Sequence, residues 1–114
     1  MEKYTKEYIK EINATKQESI YLPENVVGSK QYPTIRIEVK LAYVALLNVL
    51  LASPLYTKDG KAYIKVDNPM VIKTLEELAN KAVDRSKIKG YVEELIKLDF
   101  VEVEGQNLFV MKVN

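Results

Sequence analysis

The chain has no cysteine, no histidine and no tryptophan. Without cysteine it has no disulfide, no thiol nucleophile and no thiolate metal site, a composition that suits a reducing compartment. Without histidine it lacks the commonest general base and the commonest zinc ligand. Its carboxylates show no pair at a spacing that singles out acid–base catalysis. No catalytic residue, metal ligand or cofactor site is therefore expected, and the chain does not read as an enzyme. A long hydrophobic run is also missing. The longest, LAYVALLNVLLA from Leu41 to Ala52, falls well short of the roughly 20 residues that span a membrane. The opening MEKYTKEYIKEI lacks the apolar centre of a signal peptide. The expectation is a soluble, cytoplasmic protein with no membrane partner. Excess charge is lacking too. Formal net charge is +1, so any contact with nucleic acid must come from local clustering.

What is present is enough for one core. The 114 residues are 47% hydrophobic, which suits a single folded domain. Residues 1–18 are charged, with Tyr4, Tyr8 and Ile12 recurring every four residues. They read as an N-terminal arm or short helix, either mobile or docked on a partner subunit. Residues 19–114 form the main domain. Within it, SIYLPENVVGSKQYPTIRI (residues 19–37) is broken by prolines and reads as extended or looped. A helix apolar on nearly every side follows over residues 38–52, with Asn48 as the exception, and Ser53-Pro54 stops it. Its second apolar face calls for a cover. Either the N-terminal segment supplies it, or a second copy does through Tyr4, Tyr8, Leu41, Val44, Leu47 and Leu51. Lys58-Asp59-Gly60 signals a hairpin leading to a strand with Tyr63, Ile64 and Val66. Met70 to Ile72 fits another strand or the first turn of a helix opened by Asn68 and Pro69.

The most informative stretch is TLEELANKAVDRSKIKGYVEELIKLDFVEVEG, Thr74 to Gly105. Thr74 with Glu77 matches a capping box, and Leu75, Leu78, Ala79 and Ala82 follow at helical spacing. Asp84 is placed to cap the next helix, whose buried stripe reads Ile88, Val92, Leu95 and Ile96. Asp99 stands where a left-handed residue ends a helix. FVEVE and LFVMKV then form a hairpin across Gly105-Gln106-Asn107. The fold expected is α+β: a winged helix-turn-helix with a three-helix core and a C-terminal β-hairpin wing. In such modules the start of the second helix enters a DNA major groove. Here that start carries Arg85, Ser86, Lys87, Lys89 and Gly90, with Lys81 just before it. Arg85 suits guanine O6 and N7 or a phosphate, Lys87 and Lys89 suit phosphates, and Ser86 suits either. Gly90 costs a helix about 1 kcal/mol relative to Ala. Close approach to DNA or a partner accounts for it, and so does crowding against a neighbouring helix. Acidic wing strands and a wing turn without Lys or Arg favour the competing reading, a protein-interaction module.

A wider pattern is more specific. IYLPENVVGSKQYPTIRIEVKLAYVALLNVLL, then DGKAYIKV, then the helix-turn-helix resembles the N-terminal domain of the plasmid replication initiator protein A family of Gram-positive bacteria. The match rests on Tyr21-Leu22-Pro23, on Tyr32, on the helix from Lys40-Leu41-Ala42-Tyr43 onward, and on the Asp-Gly hairpin with its Tyr-Ile strand. It covers roughly residues 19–113. The chain differs from that family in the turn before the second helix, which lacks the usual Gly. The resemblance implies a homodimer that binds repeated duplex sites in a plasmid or mobile-element origin. It also implies contacts with host replication proteins through a C-terminal domain outside this chain. A small transcriptional repressor of the same fold is the alternative within DNA binding.

Overall fold

A computed structural model describes residues 1–16, 19–28 and 32–113. Residues 17 and 18 of the expected arm, residues 29–31 of the segment that carries the resemblance, and residue 114 lie outside the described residues. The elements run in the order β1 (Glu2–Lys3), α1 (Lys6–Thr15), α2 (Ile37–Ala52), β2 (Leu55–Tyr56), β3 (Ala62–Lys65), α3 (Met70–Ala79), α4 (Arg85–Lys97), β4 (Val101–Glu104) and β5 (Asn107–Lys112). This is a mixed α+β fold with four helices and a five-stranded antiparallel sheet among the described residues.

The sheet is built around β5. β4 lies along one edge of it, from Val101 opposite Val110 to Glu104 opposite Asn107. The other edge takes β3, with Ile64 opposite Leu108, and then β1, with Lys3 opposite Met111. β2 closes on β3 across the expected Asp-Gly turn, where Gly60 has a φ of +82°. The β4–β5 turn is shorter than the sequence suggests. Only Gly105 and Gln106 separate Glu104 from its partner Asn107. Gly105 takes a φ of +61°, as the first residue of a two-residue hairpin turn of the II′ kind requires.

α2 is the centre of the core. Every residue from Ala42 to Leu51 is buried, because the chain surrounds this helix. α3 and α4 pack along it, β3 and β5 lie beneath it, and α1 covers a further side. The surplus apolar face expected of this helix is therefore not free surface. Val44 and Leu47 are 0% exposed, and Leu51 and Tyr4 are buried as well. These four are enclosed by their own protomer, and Leu41 and Tyr8 are half-buried, so the physical motive for a second copy at this position is gone. Residues 2–15 of the expected arm form β1 and α1 and pack on the same protomer. Thr5 accepts the Tyr8 N–H at 3.2 Å and starts α1, and Ile9 and Ile12 sit in the common core.

Asn48, the one polar residue in the middle of α2, explains how the looped segment is held. Its Nδ2 donates to the carbonyls of Tyr21 and Val44, both at 2.8 Å, and its Oδ1 accepts the Tyr21 N–H at 2.8 Å. The side chain thus supplies the donor and acceptor that a strand neighbour would give. Burial of Tyr43 is completed by a 2.6 Å bond from its hydroxyl to the Met111 carbonyl, which ties α2 to β5.

The capping box at Thr74 is a correction. α3 begins four residues earlier, at Met70, so Thr74 lies inside the helix. The cap comes from Asn68, whose Oδ1 accepts the Met70 N–H at 2.9 Å, with Pro69 following it. Pro69 has the fixed φ a helix start needs and no N–H to satisfy. Val71 and Leu75 then become the buried face. Val66 falls just past β3 and is exposed.

Candidate functional site

The turn between α3 and α4 is held without glycine. Asn80 takes the left-handed conformation (φ 55°, ψ 40°), and its N–H donates to the Glu76 carbonyl. A short polar side chain tolerates that conformation better than most. The Glu76 carboxylate also accepts the Val83 N–H at 3.0 Å. One residue therefore fastens both ends of the turn and sets the direction in which α4 leaves it. Asp84 is the residue before α4, as expected, but its side chain makes no capping bond; its carbonyl accepts from Lys87 and Ile88 instead. At the far end Asp99 takes a φ of +63°, and the Phe100 N–H returns to the Leu95 carbonyl at 3.0 Å.

α4 is anchored on one side only. Leu95 is fully buried, and Ile88, Tyr91 and Val92 are half-buried against the core. Ile96, expected in the buried stripe, is 39% exposed and lines the edge of an open groove beside α4. Lys81, Arg85, Ser86, Lys87 and Lys89 are all exposed and Gly90 half-exposed. No acid occupies the first turn of α4. Among the described residues, none of the four cations forms an ion pair. Arg85 and Lys87 therefore stand at the positive end of the helix dipole. Each cation there costs about 0.3–1 kcal/mol.

Gly90 has a helical backbone with no positive φ, and a Cβ built there meets nothing within 4 Å. Crowding against a neighbouring helix is thereby removed as its explanation.

Three acidic residues of this side, Glu94, Glu102 and Glu104, have internal partners that the sequence did not reveal. Glu94 meets Arg36 at 2.5 Å, and that carboxylate raises the Arg36 guanidinium above its ordinary range. Lys3, on β1 within the expected N-terminal arm, reaches Glu104 at 3.5 Å and Glu102 at 3.9 Å. Two further cations were missed. Lys73 falls on exposed α3 once that helix begins at Met70. Lys65 stands beside the β4–β5 turn, 3.0 Å from the Asn107 side chain. The signal for Lys73 is Asn68-Pro69, the helix start that is one of the two readings the sequence leaves open for Met70 to Ile72.

Beside α4 runs a groove of about 480 Å³, mostly apolar. One wall is the α4 face that carries Arg85, Ile88, Lys89, Val92 and Ile96, and the other is the loop from Val66 to Pro69. Among the described residues no cluster of acidic side chains is arranged to hold a metal, and no helix is long and apolar enough to cross a membrane. Comparison of the chain with protein-family models, with curated proteins and with solved structures finds no match.

Proposed function

We propose that this protein is a winged-helix domain that binds duplex DNA sequence-specifically, with α4 as the helix that enters the major groove. The order of helix, strand, helix, turn, helix and hairpin suits that fold, with β4–β5 as the wing. One observation carries the functional reading: unpaired cations crowd the exposed start of α4, where they work against the helix dipole. Residues that break a local stability rule without a compensating contact mark a site kept for something outside the fold. Arg85 is the candidate for a base or phosphate fork, Lys87, Lys89 and Lys81 for phosphates, and Ser86 for either. The pairing of Glu94, Glu102 and Glu104 with Arg36 and Lys3 reduces the acidic repulsion that would oppose such a complex.

Within this reading the biological role proposed is that of a cytoplasmic replication initiator of a plasmid or mobile element, bound to origin repeats as a homodimer. It rests on the resemblance of residues 19–113 alone. The dimer contact lies outside Tyr4, Val44, Leu47 and Leu51, which the protomer itself buries. A promoter-bound repressor differs only in where its sites lie.

The test is selection of bound duplexes from a random pool, followed by fluorescence anisotropy. Changing both Arg85 and Lys87 to Ala is expected to weaken binding to the selected site by at least tenfold, since one bidentate contact is worth about 1–3 kcal/mol. The melting temperature should hold or rise. Equal affinity in the double variant would defeat α4 as the reading helix.

A second reading is favoured by the groove. Val66 at 44% and Ile96 at 39% exposure leave apolar edges beside α4, which suits a protein-interaction module. A folded wild-type chain that binds a protein partner and has no measurable affinity for duplex DNA would select that class instead.

A further inference from the structure

On the proposed DNA-binding reading, the outward line of α4 is Ser86, Gly90, Glu93 and Lys97, three or four residues apart and opposite the buried Leu95. Glu93 is out of place there. It is exposed, and among the described residues it has no ion pair and no hydrogen bond, although Lys89 and Lys97 stand one turn away on either side. It is the neighbouring Glu94 that pairs with Arg36. A bare carboxylate in the middle of a cationic surface is repelled by phosphates. Its compensation must come from a donor, and a major groove offers two, the N6 amino group of adenine and the N4 amino group of cytosine; beside the first lies the N7 lone pair, which repels a carboxylate, so cytosine is the better partner. Gly90, one turn earlier on the same line, leaves the backbone bare, with open space where a side chain would project.

We propose that Glu93 selects a cytosine in the target site, and that the missing side chain at Gly90 lets α4 descend far enough for it to do so. Arg85, Lys87 and Lys89 then supply attraction, and Glu93 supplies discrimination by penalising every base edge that has no donor to give.

The experiment uses the full chain, the best duplex it selects, single-base variants of that duplex, and an unrelated duplex. In Glu93→Ala, affinity for the unrelated duplex should rise, preference for the selected site should fall by roughly tenfold or more, and the loss should centre on one C·G pair. In Gly90→Ala the melting temperature should rise by roughly 4 °C, because a helical glycine is replaced in open space, while affinity for the selected site falls at least tenfold. If Glu93→Ala strengthens both duplexes equally, the acid is a solvated bystander and the proposal fails. It also fails if Gly90→Ala binds as tightly as the wild type. A wild type that binds no duplex overturns the DNA-binding reading itself, an outcome distinct from either variant result.

Discussion

Asn48 shows what a single side chain does in this fold. Its amide meets both backbone polar groups of Tyr21 and the Val44 carbonyl. Replacement by Leu would suit the apolar surroundings by volume but would leave the Tyr21 N–H and C=O without their partner. An abandoned buried polar group costs about 1–3 kcal/mol. Tyr21 is half-buried, so water takes up part of that loss, and Asn48→Leu is expected to lower stability by about 1–3 kcal/mol, read from the urea midpoint, and to loosen the segment that contains Tyr21. A variant as stable as the wild type would show that the amide bonds are replaceable by water. Arg85 and Lys87 illustrate the opposite case. Changing either to Glu places an acid at the positive end of α4 and should stabilise it by about 0.3–1 kcal/mol, read from the urea midpoint; on the proposed reading it should also abolish binding to duplex DNA.

At the scale of elements, the start of α3 separates two accounts of one helix. The sequence offered Thr74 and Glu77 as a capping box; the structure puts the cap at Asn68, whose side chain accepts the Met70 N–H. Loss of a side-chain N-cap costs about 1 kcal/mol. Asn68→Ala should therefore lower the melting temperature by several degrees, and Thr74→Ala, in the helix interior, should leave it almost unchanged. The reverse result would restore the later start. The same shift gives α3 its exposed Lys73 and brings Val71 into the core, so the boundary matters to the candidate site as well as to the fold.

At the scale of the whole molecule, the phenols decide how the protein meets alkali. Burial pushes Tyr4 up from 10 to about 12, against a smaller pull from the Tyr43 hydroxyl. Burial raises Tyr43 too, reinforced by the nearby Tyr4. In the unfolded chain both ionise near their ordinary value of about 10. The folded state favours the neutral forms, so this stability is complete below pH 10 and declines as pH rises from about 10 to 12. The decline is about 1.4 kcal/mol per pH unit for each group. Urea midpoints should fall across that window, and Tyr4→Phe should make the fall shallower. An equally steep fall in Tyr4→Phe would place the titration elsewhere. The enclosure of α2 has its own consequence. Leu47→Glu should unfold the protomer, as circular dichroism would show, since Leu47 is 0% exposed within one chain. A folded, monomeric Leu47→Glu would mean that this face belongs to a subunit contact after all.

Local chemistry was enough to make several features legible in the sequence. The span of α2, its stop at Ser53-Pro54, the Asp-Gly turn before β3, the left-handed Asp99 and the alternation of β4 each depend on residues within a few positions of one another. So does the exposure of Arg85, Ser86, Lys87 and Lys89, which follows from the spacing of Ile88, Val92 and Leu95. The missed features depend on distance along the chain. Lys3 pairs with Glu102 and Glu104 from about a hundred residues away, Arg36 holds Glu94, and Asn48 grips Tyr21. No periodicity records such pairs. Whether the all-apolar α2 needed a second copy was a question of how much surface α1, α3, α4 and the sheet together cover. Only the packing of all of them around one helix answered it.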